Sequence, residues 1–82
     1  MIFLPVQCRM ARAALGWGVR DLAAAAKVAI DTVVRFERGE ELKERTVEAI
    51  QRALEGGGIE FIDANGGGVG VLLKRRHIRK RS

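Results

Sequence analysis

The sequence predicts a mainly helical domain of four to five short helices followed by a two-stranded β-hairpin. Three observations lead there. Apolar residues recur at three- and four-residue spacing as far as Leu54, the helical period. Glycines punctuate that pattern at Gly16, Gly18, Gly39 and 56–58. Beyond Gly58 the spacing changes to alternate residues on either side of a Gly-rich turn, which is the mark of paired strands. At 82 residues the chain makes one small domain, burying about 60% of the surface its unfolded form exposes, so a partner subunit would help it. The expected divisions are 1–58 for the helices, 59–73 for the hairpin and 74–82 for a basic tail.

Taken in order, Pro5 suits the first turn of a helix over about 5–15, where its missing N–H costs nothing. Cys8, Ala11 and Leu15 share one face there, and Gly16 ends the run. A helix over about 46–55 starts at Thr46 as N-cap, carries Val47, Ile50 and Leu54 on one face, and stops at 56–58. In the stretch IEFID, Ile59 and Phe61 point one way, Glu60 and Ile62 the other. NGGG (65–68) accepts positive φ, and VGVLLK aligns Val69, Val71 and Leu73. The glycines do not make a phosphate loop, since no helix pattern and no Walker-type Lys-Ser/Thr follows them.

The middle segment, DLAAAAKVAIDTVVRFERGE (21–40), poses the main question: one helix or two. On an unbroken helix Leu22, Ala26, Ala29, Val33 and Phe36 form a stripe, and Val28 points well off it. The charges favour two. Asp21 precedes a run ending in Lys27, and Asp31 precedes a second ending in Arg35 and Arg38, so the acid-first, base-last order that suits a helix dipole occurs twice. Ile30, Thr32, Val33 and Val34 also lower the helix propensity of a long rod. Helices over about 19–26 and 29–38, with a turn around Lys27–Ala29, are expected.

That segment resembles the helix-turn-helix of the Cro/phage-repressor (Xre) family of bacterial transcription regulators. Leu22 and Ala23, Val28 in the turn, and Thr32, Val33, Phe36, Glu37 and Gly39 carry the likeness. CRMARAALGWG (8–18) is similar to the first helix and Gly-Trp turn of a short branch of the family, and 47–71 to its closing helix and hairpin. The resemblance implies a lambda-repressor-like domain that reads double-stranded DNA. Ala29, Ile30, Asp31, Thr32 and Arg35 would face the bases. Arg35 could make a bidentate contact to guanine, and Ile30 or Thr32 could touch a thymine methyl. Asp31 could accept from cytosine N4 or serve the helix dipole. Lys27, Arg38, Lys43 and Arg45 would contact phosphates. It also implies an interior ion pair between Arg12 and Glu37. Three positions depart from the family: Lys27 stands where Gly is usual, Ala29 where a Ser or Thr cap is usual, and Gly18-Val19 where Ser-Gln is frequent.

The net charge of +5 is unevenly spread. Residues 74–82 (KRRHIRKRS) hold six of the 15 Lys and Arg and no acid, leaving nine basic and ten acidic residues in 1–73, a charge of −1. Lys74, Arg75 and Arg76 are candidate phosphate contacts on that basis, and a solubilising tail is the alternative. Single Cys8 excludes an internal disulfide and a multi-cysteine metal site, and the only histidine, His77, sits in the tail without a nucleophile–base partner. No enzyme activity, cofactor or metal is expected. With no signal-peptide pattern and no apolar run long enough for a membrane, a cytoplasmic, nucleoid-associated protein is expected. A lone hairpin is marginal, and Ile62 and Leu72 would face away from the helices. A homodimer joined there, with Ile62, Val71 and Leu72 at the contact, is one expectation. Coverage by the chain's own Ile2, Phe3 and Leu4 is the other. The rival function is a protein-binding anti-activator or antitoxin-like module using Ile30 and Val34 or the hairpin.

Overall fold

Pro5 opens α1 (Pro5–Leu15) of the computed structural model, which describes residues 2–63 and 67–74. Three further helices follow, α2 (Val19–Ala26), α3 (Ile30–Glu37) and α4 (Glu44–Gly56), and then two antiparallel strands, β1 (Ile59–Ile62) and β2 (Gly70–Leu73). The middle segment is therefore two helices rather than one rod.

The first three helices end in the same way. Each exit has a residue in the left-handed conformation, Gly16 (φ 71°), Lys27 (φ 60°) and Gly39 (φ 94°). At each, two N–H groups fold back onto carbonyls of the last turn: Gly16 to Ala13 and Trp17 to Arg12, Lys27 to Ala24 and Val28 to Ala23, Gly39 to Phe36 and Glu40 to Arg35. This is the Schellman arrangement, which satisfies carbonyls that a helix end leaves open. Lys27 adopts a conformation that costs a side-chain-bearing residue about 1 kcal/mol relative to glycine. The reversal it creates turns Val28 inward against the core and leaves Ala29 exposed, so the stripe that Ala29 completes on a continuous helix does not form.

Helix starts rely on local substitutes for a conventional cap. Gln7 Oε1 accepts the N–H of Leu4 at 3.0 Å, and Asp21 Oδ2 accepts that of Gly18 at 2.8 Å. Thr46 is not the cap of α4. Lys43 is, and the N–H groups of Thr46 and Val47 bond to its carbonyl at 2.9 and 3.1 Å. The earlier start places Glu44 in the first turn, where a carboxylate suits the helix dipole.

The core joins the four helices and β1 through Cys8, Ala11, Leu22, Ala23, Val33, Phe36, Ile50, Leu54 and Ile59. Phe3 enters it from the N-terminal segment, stacked on Phe36 at 5.1 Å between ring centres and edge-on to Phe61 at 4.8 Å. Of the three N-terminal residues expected to shield the outer hairpin face, Phe3 is thus committed to the inner one and Ile2 is 74% exposed. Just after α4, a Cβ on Gly57 would lie 3.1 Å from the Leu15 side chain and 3.2 Å from Trp17, so any other residue there requires those side chains to shift by a few tenths of an ångström.

The strand register pairs Ile59 with Leu73 and Phe61 with Val71 on the inner face, where Leu73 at the strand end nonetheless stays 45% exposed, and Glu60 with Leu72 and Ile62 with Gly70 on the outer. Val71 packs against the core. Its grouping with Ile62 and Leu72 is corrected by this register, since strand side chains alternate between faces. Gln7, fully buried, clamps the hairpin to α1: its Nε2 donates to the carbonyls of Ile62 and Gly70, both at 3.1 Å. Asn65 and Gly66 of the expected turn, and residues 75–82 of the tail, lie outside the described residues. No helix among the described residues is long and apolar enough to cross a membrane.

Candidate nucleic-acid interface

The buried side of α3 decides what its other side can do. Val33 and Phe36 fix it in the core, and its last residue, Glu37, is gripped by α1. Arg12 donates Nε to Glu37 Oε2 at 2.7 Å and Nη2 to Oε1 at 2.8 Å, a two-pronged guanidinium–carboxylate contact. Arg12 Nη1 also reaches the Trp17 carbonyl at 3.2 Å, and Cys8 Sγ donates to Glu37 Oε2 at 3.1 Å. Arg9 Nη1 caps the Glu37 carbonyl at 2.6 Å, placing a cation at the negative end of α3. The Glu37 side chain is only 9% exposed.

Burial alone would raise the Glu37 carboxyl, but the hydrogen bonds from Arg12 and Cys8 and the charges of Arg12 and Arg9 outweigh it, and the carboxyl is held below its ordinary value. The same contact raises Arg12 further above its already high value, against the opposing effect of burial. Cys8 is pushed well up, first by burial and then by the Glu37 hydrogen bond and charge, so it remains a neutral thiol donor.

With the rear of α3 anchored, its N-cap Ala29 and its first residues Ile30 and Asp31 are exposed, and Thr32, Val34 and Arg35 are half-buried. Ile30 is 43% exposed. Lys27 in the preceding turn and Arg38, Lys43 and Arg45 after the helix are all exposed. A groove of about 500 Å³ separates the start of α3 from the loop before α4, lined by Val28, Ala29, Thr32, Arg35, Leu42 and Thr46 among others. Lys74 is not part of this grouping. Its N–H bonds to the Gly58 carbonyl at 2.7 Å, beyond the far end of the 13-residue α4, about 20 Å along the axis from Lys43. Arg75 and Arg76 lie outside the described residues.

One contact at this surface went unforeseen. Glu40 Oε1 accepts from Arg35 Nε at 3.0 Å, and Glu40 Oε2 from Arg38 Nη2 at 2.8 Å. The two arginine hydrogen bonds hold the Glu40 carboxyl below its ordinary value. The sequence signal for it is the spacing Arg35-x-x-x-Gly39-Glu40, since the left-handed glycine folds the residue after it back over the residue five earlier. Among the described residues no group of His, Cys, Asp and Glu could hold a metal ion. No family model matches the chain, and no curated protein is significantly similar to it.

Proposed function

We propose that α2, the turn at Lys27–Ala29 and α3 form a helix-turn-helix, and that the protein is a DNA-binding transcription regulator of the Cro/phage-repressor kind. The observation that carries this reading is the two-sidedness of α3. One side is held by Val33, Phe36 and the Arg12–Glu37 pair, and the other presents Ala29, Ile30, Asp31, Thr32 and Arg35. A rigid helix of this width fits the major groove, where Arg35 can donate to guanine O6 and N7 and the apolar side chains can meet a thymine methyl. Lys27, Arg38, Lys43 and Arg45 flank it at positions suited to phosphates.

Charge makes this a weakly attracted but discriminating surface. Residues 27–45 carry five basic and five acidic residues, so the α3 region has no net pull on a polyanion. The basic run 74–82 would supply that pull, and six phosphate contacts would give a log–log salt slope of about −5. A second copy joined through the outer hairpin face would present two such helices to half-sites about one turn of DNA apart.

The reading is tested by mobility shift on the promoter of the protein's own operon, with Arg35→Ala alongside. Saturable binding that weakens with Arg35→Ala supports it, and no binding by either protein at low salt overturns it. The exposed Ile30 beside the groove favours a second reading, a module that holds a protein on α3. In that case the shift is absent and Ile30→Lys abolishes capture of the partner.

A further inference from the structure

We propose that Glu40 is a positioning residue for Arg35, holding the guanidinium by its Nε edge so that Nη1 and Nη2 point outward to one guanine. The proposal rests on the DNA-binding reading of α3 and names what makes that site selective.

Three features of the structure carry it. The pairing is built by the backbone rather than by chance meeting of long side chains. Gly39 in the left-handed conformation brings the Glu40 N–H onto the Arg35 carbonyl at 3.1 Å, so the two residues share a helix end before their side chains meet. The contact also engages Arg35 at Nε alone, at 3.0 Å, and among the described residues no acceptor takes Nη1 or Nη2. Those are the two donors whose spacing matches guanine O6 and N7. Finally, Arg38 donates to the second carboxylate oxygen at 2.8 Å, so both oxygens of Glu40 are engaged and the one facing Arg35 is not drawn to another cation.

Stability does not explain the arrangement. Arg35 and Glu40 are 44% and 43% exposed, and ion pairs so open to water contribute little to folding. Its effect is on orientation. A free arginine must be ordered when it binds, and it can satisfy itself on any nearby phosphate. One already held at Nε has a single productive direction. The same carboxylate repels the phosphate backbone, so Glu40 sacrifices general affinity and gains discrimination.

The experiment uses the full chain and a duplex recovered from a randomised pool by the wild-type protein, with each base pair then changed singly, plus an unrelated duplex. Titrations follow Glu40→Gln, Glu40→Asp and Arg35→Ala by fluorescence anisotropy, after circular dichroism shows each folded. Wild type should prefer guanine at one position about five-fold or more, and Arg35→Ala should remove that preference. Glu40→Gln should bind the unrelated duplex more tightly while its guanine preference falls several-fold. Its salt slope should steepen by up to about 0.9, as Arg38 is freed for a phosphate. Glu40→Asp keeps the charge but shortens the reach, and should lose the preference without the tighter non-specific binding.

Glu40→Gln tightening both duplexes equally, or changing neither, overturns the proposal while leaving DNA binding intact. A guanine preference untouched by Arg35→Ala does the same. A wild type that binds no duplex at low salt overturns the DNA-binding reading itself.

Discussion

Glu37 shows how one buried carboxylate can govern a surface it never reaches. It joins α1 to the end of α3 through Arg12, Arg9 and Cys8, and so fixes the direction in which α3 presents its outer side chains. Glu37→Gln leaves the Arg12 charge without a counter-charge and should cost about 3 kcal/mol in urea unfolding. That is the low end for buried pairs, because the Arg12 side chain stays 20% exposed. Replacing both partners with apolar residues should cost less than either single change. The sign of the pH effect follows from the carboxyl being lower in the folded chain than its ordinary 4.5. The unfolded chain takes up the proton first as pH falls, so the stabilisation is complete above about pH 4.5 and is lost on further acidification. The gap between wild type and Glu37→Gln should therefore narrow below that pH. A gap that stays constant would assign the effect to packing instead. The Arg12–Glu37 pair came from the family resemblance. The thiol donor at Cys8 and the carbonyl cap from Arg9 did not, because the meeting of residues about 28 apart is decided by helix packing and not by any local pattern.

At the scale of the element, the turn between α2 and α3 works without the residues that best suit it. Lys27 holds a left-handed conformation and Ala29 caps α3 with no side-chain hydrogen bond. Lys27→Gly should stabilise the fold by about 1 kcal/mol, a rise in melting temperature of roughly 4–8 °C for a domain this size. If DNA binding holds, the same variant should bind more weakly, because a phosphate contact goes with the side chain. Thermal melts and anisotropy on one preparation check both halves, and a melting temperature that falls would show that Lys27 contributes contacts worth more than its strain. The opposed charge runs in 21–40 predict the break because they report local electrostatics. The start of α4 was misplaced for a related reason. Thr46 is a good cap by type, but Lys43 takes the position once Leu42 packs against the core.

For the whole molecule, the question is what covers the outer face of the hairpin. Ile62 and Leu72 are 45% and 51% exposed at diagonal positions on it, and Phe3 is occupied on the inner face. A two-stranded sheet with open edges and apolar side chains is suited to pairing with another copy of itself. If two copies pair through this face, wild type should sediment as a dimer and Leu72→Lys as a monomer, with the helical circular dichroism signal preserved. A wild type that sediments as a monomer at all concentrations would refute the pairing. Gln7 constrains the same region. It satisfies two hairpin carbonyls from inside the domain, so the hairpin is tied to α1 and a paired copy would be held in a defined orientation to α3.

Local chemistry along the chain was enough to predict a run of four to five helices, of which four form, the hairpin, the break at Lys27 and the alternation that puts Ile62 and Leu72 outside. Spacing, charge order and glycine placement act over a few residues, and each leaves its mark in the order of letters. Tertiary structure alone decided that Phe3 fills the inner face and that a buried Gln7 clamps the strands. Whereas the closure of Glu40 on Arg35 and Arg38 is local to the helix end, both of these contacts join residues far apart in the chain. Those contacts arise only when the whole backbone has settled which side chains share the same small volume.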